Sequence, residues 1–292
     1  MIITPNPSDI EVTTLTEELN KRGYEVDHFV PGEYVVDIFE FSDRFEALDP
    51  KKALVRGIGA SVTQKIFFRL DILTAIEGLG IKLINSRESL EIASDKLLSS
   101  LFLKNHGIPT PKTIVCENSQ DALDAFEALG GDVVLKPLYG SKGIGITRLN
   151  DKAFAENVIY TLDELNMIFY LQEFIEHYHR DIRILVLGNE TIAGMYRVSD
   201  NWKTNISAGG EEKPIELTKE LKDLAVKAAK AVKTEIAGVD IIESKEGFQV
   251  IEVNSIPGFT ALQKVSNINL AEKIIDYFLE HQEGKEIKKK KN

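Results

Sequence analysis

Cysteine is almost absent from this chain of 292 residues, which contains one, Cys116. A single cysteine cannot form an internal disulfide, and it excludes a cysteine-clustered zinc or iron-sulfur site. No stretch reaches the roughly 18 uninterrupted apolar residues of a membrane span. The N-terminus also lacks the basic and apolar regions of a secretion signal. We therefore expect a cytoplasmic protein without a membrane partner.

Signatures of two enzyme classes are missing as well. The first predicted turn, Thr4-Pro5-Asn6-Pro7-Ser8, has no glycine-rich dinucleotide fingerprint, which argues against a dehydrogenase. No Gly-x-Ser-x-Gly motif occurs, so hydrolysis by an activated serine has no candidate. The 35 Lys and Arg residues against 46 Asp and Glu residues give a net charge of −11. With this balance a nucleic-acid partner is not expected.

The first part of the chain alternates strand and helix patterns. An apolar start at Ile2-Ile3 is followed by Ser8-Asp9-Ile10-Glu11, which matches a capping box and predicts a helix that ends at Gly23. This alternation indicates an α/β domain. Three further elements are predicted, namely a strand at residues 24–30, a helix at 63–79 and a strand at 81–84.

Near residue 95 the pattern changes, and we expect a new domain there. The whole chain is predicted to be a mixed α/β fold with domains at residues 1–94, 95–180 and 181–282, followed by a basic tail at 283–292. The predicted elements after residue 94 are helices at 95–106, 120–129 and 221–232 and strands at 113–115, 133–135, 238–242 and 248–253.

A glycine-rich loop at residues 140–146 follows the predicted strand that leads into Lys136. It carries Gly140, Gly143 and Gly145 beside Lys142. Exposed backbone N–H groups in such a loop can bind phosphate oxygens, and the lysines add positive charge. It is not a P-loop, because its lysine does not follow the last glycine directly. From spacing alone, a phosphate-binding loop and a glycine-rich hairpin turn both remain open.

Oxygen-bearing side chains fall on the last two predicted strands. Successive side chains of a strand point to opposite faces, so Glu252 and Asn254 are predicted on one face and Ile251 and Val253 on the other. A hairpin between the two strands would set Asp240 opposite Glu252. Acidic side chains on an inward strand face are costly unless they bind a cation, and Mg²⁺ binds carboxylates together with substrate phosphates. A metal site is therefore favoured over a solvent-exposed strand face.

Residues 171–187 predict two strands joined by a polar linker. This arrangement could hold a flat base between apolar walls, with backbone groups binding its edge. Arg183 and Arg197 could supply guanidinium forks for phosphate or carboxylate groups. We interpret His177 and His179 as exposed loop residues and not as metal ligands.

Taken together, these motifs resemble the ATP-grasp carboxylate-amine ligases, and within them the RimK-like α-L-glutamate ligases. The resemblance covers nearly the whole chain. It is carried by the loop at residues 140–146 and by Ser94-Asp95-Lys96-Leu97, Val134-Leu135-Lys136-Pro137, Gln172-Glu173-Phe174-Ile175, Asp181-Ile182-Arg183, Trp202-Lys203-Thr204-Asn205, Gly209-Gly210, Gly238-Val239-Asp240-Ile241 and Glu252-Val253-Asn254-Ser255-Ile256-Pro257-Gly258.

The resemblance implies an ATP-grasp fold with an N-terminal α/β domain and with ATP between two sheets. It implies that Arg197 and Lys136 are catalytic and that Mg²⁺ or Mn²⁺ is held by Asp240, Glu252 and Asn254. The nucleotide would contact Lys96, Lys136, Gly140, Ser141, Gly143, Gly145, Gln172, Glu173, Phe174, Ile175, Asp181 at the ribose, Arg183, Lys203, Thr204 and Asn205.

The activity implied by the resemblance is ATP-dependent addition of L-glutamate to an acceptor carboxylate through an acyl phosphate, with release of ADP and phosphate. We expect a coenzyme tail such as that of tetrahydromethanopterin as the acceptor. A ribosomal protein C-terminus and a substrate of lysine or arginine biosynthesis remain open as acceptors, as does a homo-oligomeric state. The alternative from another class is an ATP-sensing module without turnover.

Overall fold

The computed structural model describes residues 1–48, 50–140, 143–204 and 209–280. The helices in these ranges are α1 (Ile10–Lys21), α2 (Asp43–Leu48), α3 (Thr63–Gly78), α4 (Arg87–Ser94), α5 (Lys96–Asn105), α6 (Ser119–Ala128), α7 (Lys152–Glu164), α8 (Lys219–Ala231), α9 (Thr260–Val265) and α10 (Leu270–Glu280). The strands are β1 (Ile2–Ile3), β2 (His28–Phe29), β3 (Lys52–Val55), β4 (Lys82–Ile84), β5 (Thr113–Cys116), β6 (Val133–Lys136), β7 (Thr147–Leu149), β8 (Phe169–Glu173), β9 (Arg180–Leu187), β10 (Glu190–Val198), β11 (Glu211–Pro214), β12 (Ile236–Ser244) and β13 (Gly247–Asn254).

A parallel sheet with the strand order β2-β1-β3-β4 opens the chain. Ile2 of β1 pairs with His28 on one side and with Leu54 on the other. Parallel neighbours require crossover connections, and α1, α2 and α3 each lie in one of the three connections. The strand and helix alternation predicted for this region is confirmed.

Two antiparallel sheets follow, with the strand orders β5-β8-β6-β7 and β11-β10-β9-β12-β13. Helices α6 and α7 share a hydrophobic core with the first sheet, and α8 shares one with the second. The predicted mixed α/β fold class is confirmed. Within the described ranges, no helix combines the length and apolar character that a membrane crossing requires.

The last helix, α10, packs against the N-terminal parallel sheet. Phe278 of α10 shares one hydrophobic core with Ile2 of β1 and with Leu185 of β9. Lys52 on β3 is only 6% exposed. Its ammonium group donates to the carbonyls of Phe278 and Leu279, and a cation is favourable at the C-terminal end of a helix. The N-terminal sheet is thereby held against the sheet that carries β9 to β13.

Two N-terminal elements differ from their sequence prediction. Asp9 caps α1, because its backbone is extended (φ −60°, ψ 137°) and its carboxylate accepts from the N–H of Glu11, so Ser8 is not the cap. The strand predicted at 24–30 is limited to His28–Phe29, the two residues that pair with β1. The three domain ranges stay a prediction, and the basic tail predicted at 283–292 lies outside the described residues.

Replacing Asp95 by alanine should lower the melting temperature of the protein by about 2–3 °C. Its carboxylate caps α5 by accepting from the N–H groups of Leu97 and Leu98 at 2.8 and 3.0 Å, and it also accepts from the Tyr139 hydroxyl at 3.0 Å. Losing an N-cap costs about 1 kcal/mol, and in a chain of this size that gives a shift of roughly this extent. Differential scanning calorimetry measures it, with the exposed Ser94→Ala as control; an unchanged melting temperature in Asp95→Ala would contradict the capping role.

Candidate active site

A cleft lies between the two antiparallel sheets and collects most of the predicted site residues. One wall comes from β6, from β8 and from the segment after β8, and the other comes from β9, β10, β12 and β13. The predicted residues that line the cleft are Lys96, Lys136, Gln172, Glu173, Phe174, Ile175, Asp181, Arg197, Lys203, Thr204, Asp240 and Glu252. Trp202, Ile146, Ile242 and Ile251 add apolar surface to its walls.

The hairpin of β12 and β13 sets Asp240 directly opposite Glu252, as predicted. A bulge next to this pair places Ile241 opposite Val250, which leaves Ile251 as an extra residue on β13. An extra residue reverses the alternation of side chains along a strand. Ile251 therefore lines the cleft with Glu252, and the prediction that it shares the opposite face with Val253 is wrong.

Asp240 is 2% exposed and is surrounded by two arginines. Arg183 approaches it with Nε at 2.5 Å and with a terminal nitrogen at 3.1 Å, and Arg197 approaches with a terminal nitrogen at 3.0 Å. Burial raises the pKa of the Asp240 carboxyl, and the two guanidinium groups act against that rise. Asn254 joins this group, because in its favoured amide orientation its oxygen accepts from both terminal nitrogens of Arg183 at 3.2 and 3.3 Å.

Arg197 is held in place by Asp181 from the neighbouring strand. Two parallel hydrogen bonds of 2.6 Å join the guanidinium to the two carboxylate oxygens, and Thr204 donates to the same carboxylate at 2.6 Å. Burial lowers the pKa of Arg197, but Asp240 and Asp181 raise it by more, so it lies above its usual value. Both carboxylate oxygens of Asp181 already accept hydrogen bonds from Arg197 and Thr204. The predicted contact between Asp181 and a ribose stays a prediction.

Gly238 creates the space that Arg183 occupies, and sequence reasoning missed this role. A Cβ atom at Gly238 would collide with a terminal nitrogen of Arg183 and would lie 2.8 Å from Cβ of Pro257. The glycine stands opposite Asn254 in the hairpin, two residues before Asp240. A glycine in the interior of a predicted strand was the available signal.

Lys136 points from the other sheet into the same cleft. Its ammonium group donates to the side-chain oxygen of Gln172 at 2.6 Å, and the Gln172 amide donates in turn to Thr113 at 3.0 Å. Burial lowers the pKa of Lys136 to about 8, although the carboxylate of Glu252 acts against this change. An anionic ligand in the cleft would favour the charged form of this amine.

Lys96 links helix α5 to the glycine-rich loop. Its ammonium group donates to the carbonyl of Gly140 at 3.1 Å. Gly143 and Gly145 adopt positive φ values of 72° and 79°, which other residues rarely adopt, so the loop depends on these glycines. Two predicted contacts, Ser141 and Asn205, lie outside the described residues.

The segment after β8 forms an aromatic corner. Phe174 packs under the guanidinium of Arg148, 3.5 Å from its ring centre, and meets Trp202 edge-on at 6.2 Å. Its backbone N–H donates to the carbonyl of Asp132 at 3.0 Å. Lys203 follows Trp202 and places its ammonium group 5.3 Å from the Trp202 ring. These contacts give one end of the cleft flat, apolar walls.

His177 is buried, so the prediction that it lies exposed in a loop is wrong. It is 7% exposed, its ring packs 5.8 Å from Phe174, and Nδ1 lies 3.2 Å from the carbonyl of Arg180. Burial lowers the pKa of its imidazole. His179 is exposed, as predicted.

The donor set around Asp240 suits a hard divalent cation. Oδ1 of Asp240 is buried and lies 2.5 Å from Nε of Arg183, but no described group makes a hydrogen bond of regular geometry to it. Glu252 adds a second carboxylate and Asn254 an amide oxygen, a combination that fits Mg²⁺ or Mn²⁺ when phosphate oxygens complete the coordination. No group of three or more His, Cys, Asp or Glu side chains that could hold a metal occurs in the described part of the chain. The candidate site differs from such a group, because its protein ligands are two carboxylates and one amide oxygen, and this set fits a divalent cation.

Two antiparallel sheets that face each other across this charged cleft define an ATP-grasp ligase. Residues 93–278 match the family model of the RimK-like ATP-grasp domain. The chain therefore belongs to the RimK-like ATP-grasp family and is an ATP-binding ligase. The resemblance and the fold predicted from the sequence are confirmed.

Similar proteins support this assignment. A tetrahydromethanopterin:alpha-L-glutamate ligase of Methanococcus maripaludis is 39% identical over 251 residues, which cover 83% of this chain and 83% of the relative. An alpha-aminoadipate–LysW ligase, LysX, of Saccharolobus solfataricus is 30% identical over 274 residues, 91% of this chain and 96% of the relative. The solved structure of the ATP-grasp ligase PsnB with a minimal precursor has a TM-score of 0.74 at 21% identity, covering 94% and 96% of the two chains, and supports the fold.

Nucleotide affinity should fall as the pH rises through about 8. The pKa of Lys136 is lowered to about 8, so the nucleotide-free protein loses this positive charge in that range. We expect the Kd of ADP, measured by calorimetry without divalent metal, to rise roughly 10-fold between about pH 7 and pH 9.5. Lys136→Arg keeps its charge throughout and should give a flatter profile. A flat profile in the unaltered protein would contradict this expectation.

Proposed function

We propose that the protein joins L-glutamate to an acceptor carboxylate at the expense of ATP, with release of ADP and phosphate. The observation that supports this most directly is the pairing of Asp240 with Glu252 in the cleft that also contains Lys136 and Arg197. Such a site can stabilise phosphoryl and acyl transfer by position and charge without a protein nucleophile.

The nucleotide lies along the first wall of the cleft in this proposal. Lys96 and Lys136 bind its phosphates, and the glycine loop covers them. Residues 172–175 frame the adenine, supported by the flat walls at Phe174 and Trp202. A base that is held between apolar surfaces and bound at its edge by backbone groups is orientated without any charged contact.

Asp240, Glu252 and Asn254 would hold a divalent cation at the second wall. When bound, such a cation would neutralise negative charge on the phosphate groups. Arg183 lies next to Asp240 and Asn254. Its side chain occupies the space above Gly238, and its contacts to the two side chains hold it in that position.

The reaction takes two steps. An oxygen of the acceptor carboxylate attacks the γ-phosphorus, the bond to the ADP oxygen breaks, and an acyl phosphate forms. The amine of L-glutamate then attacks the acyl carbon, phosphate leaves, and the amine gives up a proton. Arg197 stabilises the negative charge that develops on the transferring groups. Its hydrogen bonds to Asp181 orient the guanidinium before the substrates bind. The loop keeps water from the acyl phosphate.

The acceptor in our proposal is a coenzyme tail of the tetrahydromethanopterin type. The 39% identity to a ligase named for that acceptor supports it. A second candidate is an amino-group carrier protein of lysine biosynthesis, supported by the similarity to LysX over 91% of this chain. The two differ in the size of the product, which makes them easy to distinguish.

Incubation with Mg-ATP, L-glutamate and three separate acceptors should identify the product, and the carrier protein is also tested with α-aminoadipate in place of L-glutamate. The acceptors are tetrahydromethanopterin, a LysW-type carrier protein and a peptide ending in a ribosomal protein C-terminus. We expect the mass of one glutamyl residue to be added to tetrahydromethanopterin, with release of ADP and phosphate. Gain of mass only on the carrier would favour the second candidate, and ATP binding without release of phosphate on any acceptor would contradict the ligase proposal.

Replacing Glu252 by alanine should abolish ADP formation. Loss of one metal ligand removes several kcal/mol of charge stabilisation, so we expect a fall in kcat of roughly 100-fold or more. Release of ADP is measured with saturating Mg-ATP. Glu246→Ala, an exposed residue in the turn of the same hairpin, is the matched control and should keep full activity. Full activity of Glu252→Ala would contradict the metal site.

A further inference from the structure

Asn85 lies outside the cleft, yet its side chain binds the start of β12 and Ser255, the residue after β13, and these two strands carry the proposed metal ligands. The residue directly follows β4 and is 1% exposed. Its amide nitrogen donates to the carbonyls of Ile236 and Ser255 at 2.6 and 2.5 Å. Its amide oxygen accepts from the backbone N–H groups of Glu235 and Ile236 at 2.7 and 2.9 Å. All four hydrogen bonds that an asparagine side chain can make are therefore used.

These four bonds replace strand pairing at the point where the hairpin ladder ends. The last pair joins Gly238 on β12 with Asn254 on β13. Beyond it, Ser255 leads towards Pro257, which has no N–H to donate. Unpaired backbone groups at a buried site are costly. The Asn85 amide satisfies these groups and fixes the separation of the two strand ends directly beside Asn254.

A second N-terminal residue, Glu11 of α1, binds the next part of the same segment. One of its oxygens accepts from the N–H groups of Phe259 and Thr260 at 2.6 and 2.9 Å. The other oxygen accepts from Arg56 at 2.7 Å, and Arg56 also donates to the carbonyl of Pro257 at 3.0 Å. Residues 255–260 are therefore held by the N-terminal sheet and helix at both ends.

We propose that Asn85 and Glu11 are positioning residues for the divalent cation, acting through the ends of β12 and β13. The inference rests on the metal site of the proposed function. Ser255 is adjacent to Asn254, and Ile236 lies on the same strand as Asp240. Without the four hydrogen bonds of Asn85, the two strand ends are free to separate, and the oxygen ligands lose the geometry that a small cation requires.

The first test measures metal binding, independently of turnover. Mn²⁺ is titrated into the protein with saturating ADP, and free Mn²⁺ is followed by electron paramagnetic resonance. We expect Asn85→Ala to raise the Kd for Mn²⁺ by about 10- to 100-fold, the range found when groups that orient metal ligands are removed. ADP affinity without metal and KM for L-glutamate stay at their unaltered values, whereas a general loss of structure would change all three.

Ser89→Ala is the matched control. Ser89 is also buried, lies four residues further along the chain, and makes its side-chain hydrogen bonds to Ser86, the N-cap of its own helix. Its replacement should leave Mn²⁺ binding unchanged. Equal Mn²⁺ affinity in Asn85→Ala and in the unaltered protein would overturn the proposal, and so would a loss of equal size in Ser89→Ala.

Glu11→Gln supplies a second variant that keeps the shape of the side chain. It retains an acceptor for Phe259 and Thr260 but loses the charge that faces Arg56, so we expect a smaller rise in the Kd for Mn²⁺, of about 3- to 10-fold. If Asn85→Ala does not fold, Glu11→Gln decides the question, and unaltered Mn²⁺ affinity in it overturns the proposal. Failure of the unaltered protein to bind Mn²⁺ would instead contradict the proposed metal site itself.

Discussion

The cleft depends on a cluster of four charges, of which Arg197, Asp181 and Asp240 are buried and Arg183 is half-buried. Strand register places each cation directly opposite an anion, since Arg197 pairs with Asp181 across β10 and β9 and Asp240 pairs with Arg183 across β12 and β9. An isolated buried charge costs several kcal/mol, so any shift that separates these pairs is strongly unfavourable. The charges therefore fix the register of the three strands together with the apolar residues on their other face.

This requirement explains a residue choice that hydrophobicity alone would not explain. Glycine is unfavourable in the middle of a buried strand, because it contributes no packing surface. At Gly238 that loss is offset, since the guanidinium of Arg183 takes the space of the missing side chain and reaches Asp240 and Asn254. The polar cluster thus extends along one face of the sheet, and Arg183 contacts two candidate metal ligands there.

How much of the molecule could be predicted from its sequence depends on the range of the interactions. The pairing of Asp240 with Glu252 was predictable, because a short turn fixes the register of a hairpin. The bulge at Ile251 was not, because it leaves no signal in the alternation of residue types. The burial of His177 depends on Phe174 and on the fold of the linker. The contacts of Asn85 to residues about 150 to 170 positions away follow no local pattern at all.

The long-range contacts also change how the boundary of the functional unit is understood. The family model begins at residue 93, after the N-terminal sheet. Nevertheless Glu11 and Asn85, which precede that boundary, bind the segment that follows Asn254. The segment between residues 255 and 260 is bonded to Asn85 after β4, to Arg56 after β3 and to Glu11 of α1, which ties the strand ends beside the candidate metal ligands to the N-terminal region. In our proposal this region therefore supports the cleft, although among the described residues it contributes none of the charged side chains that line it.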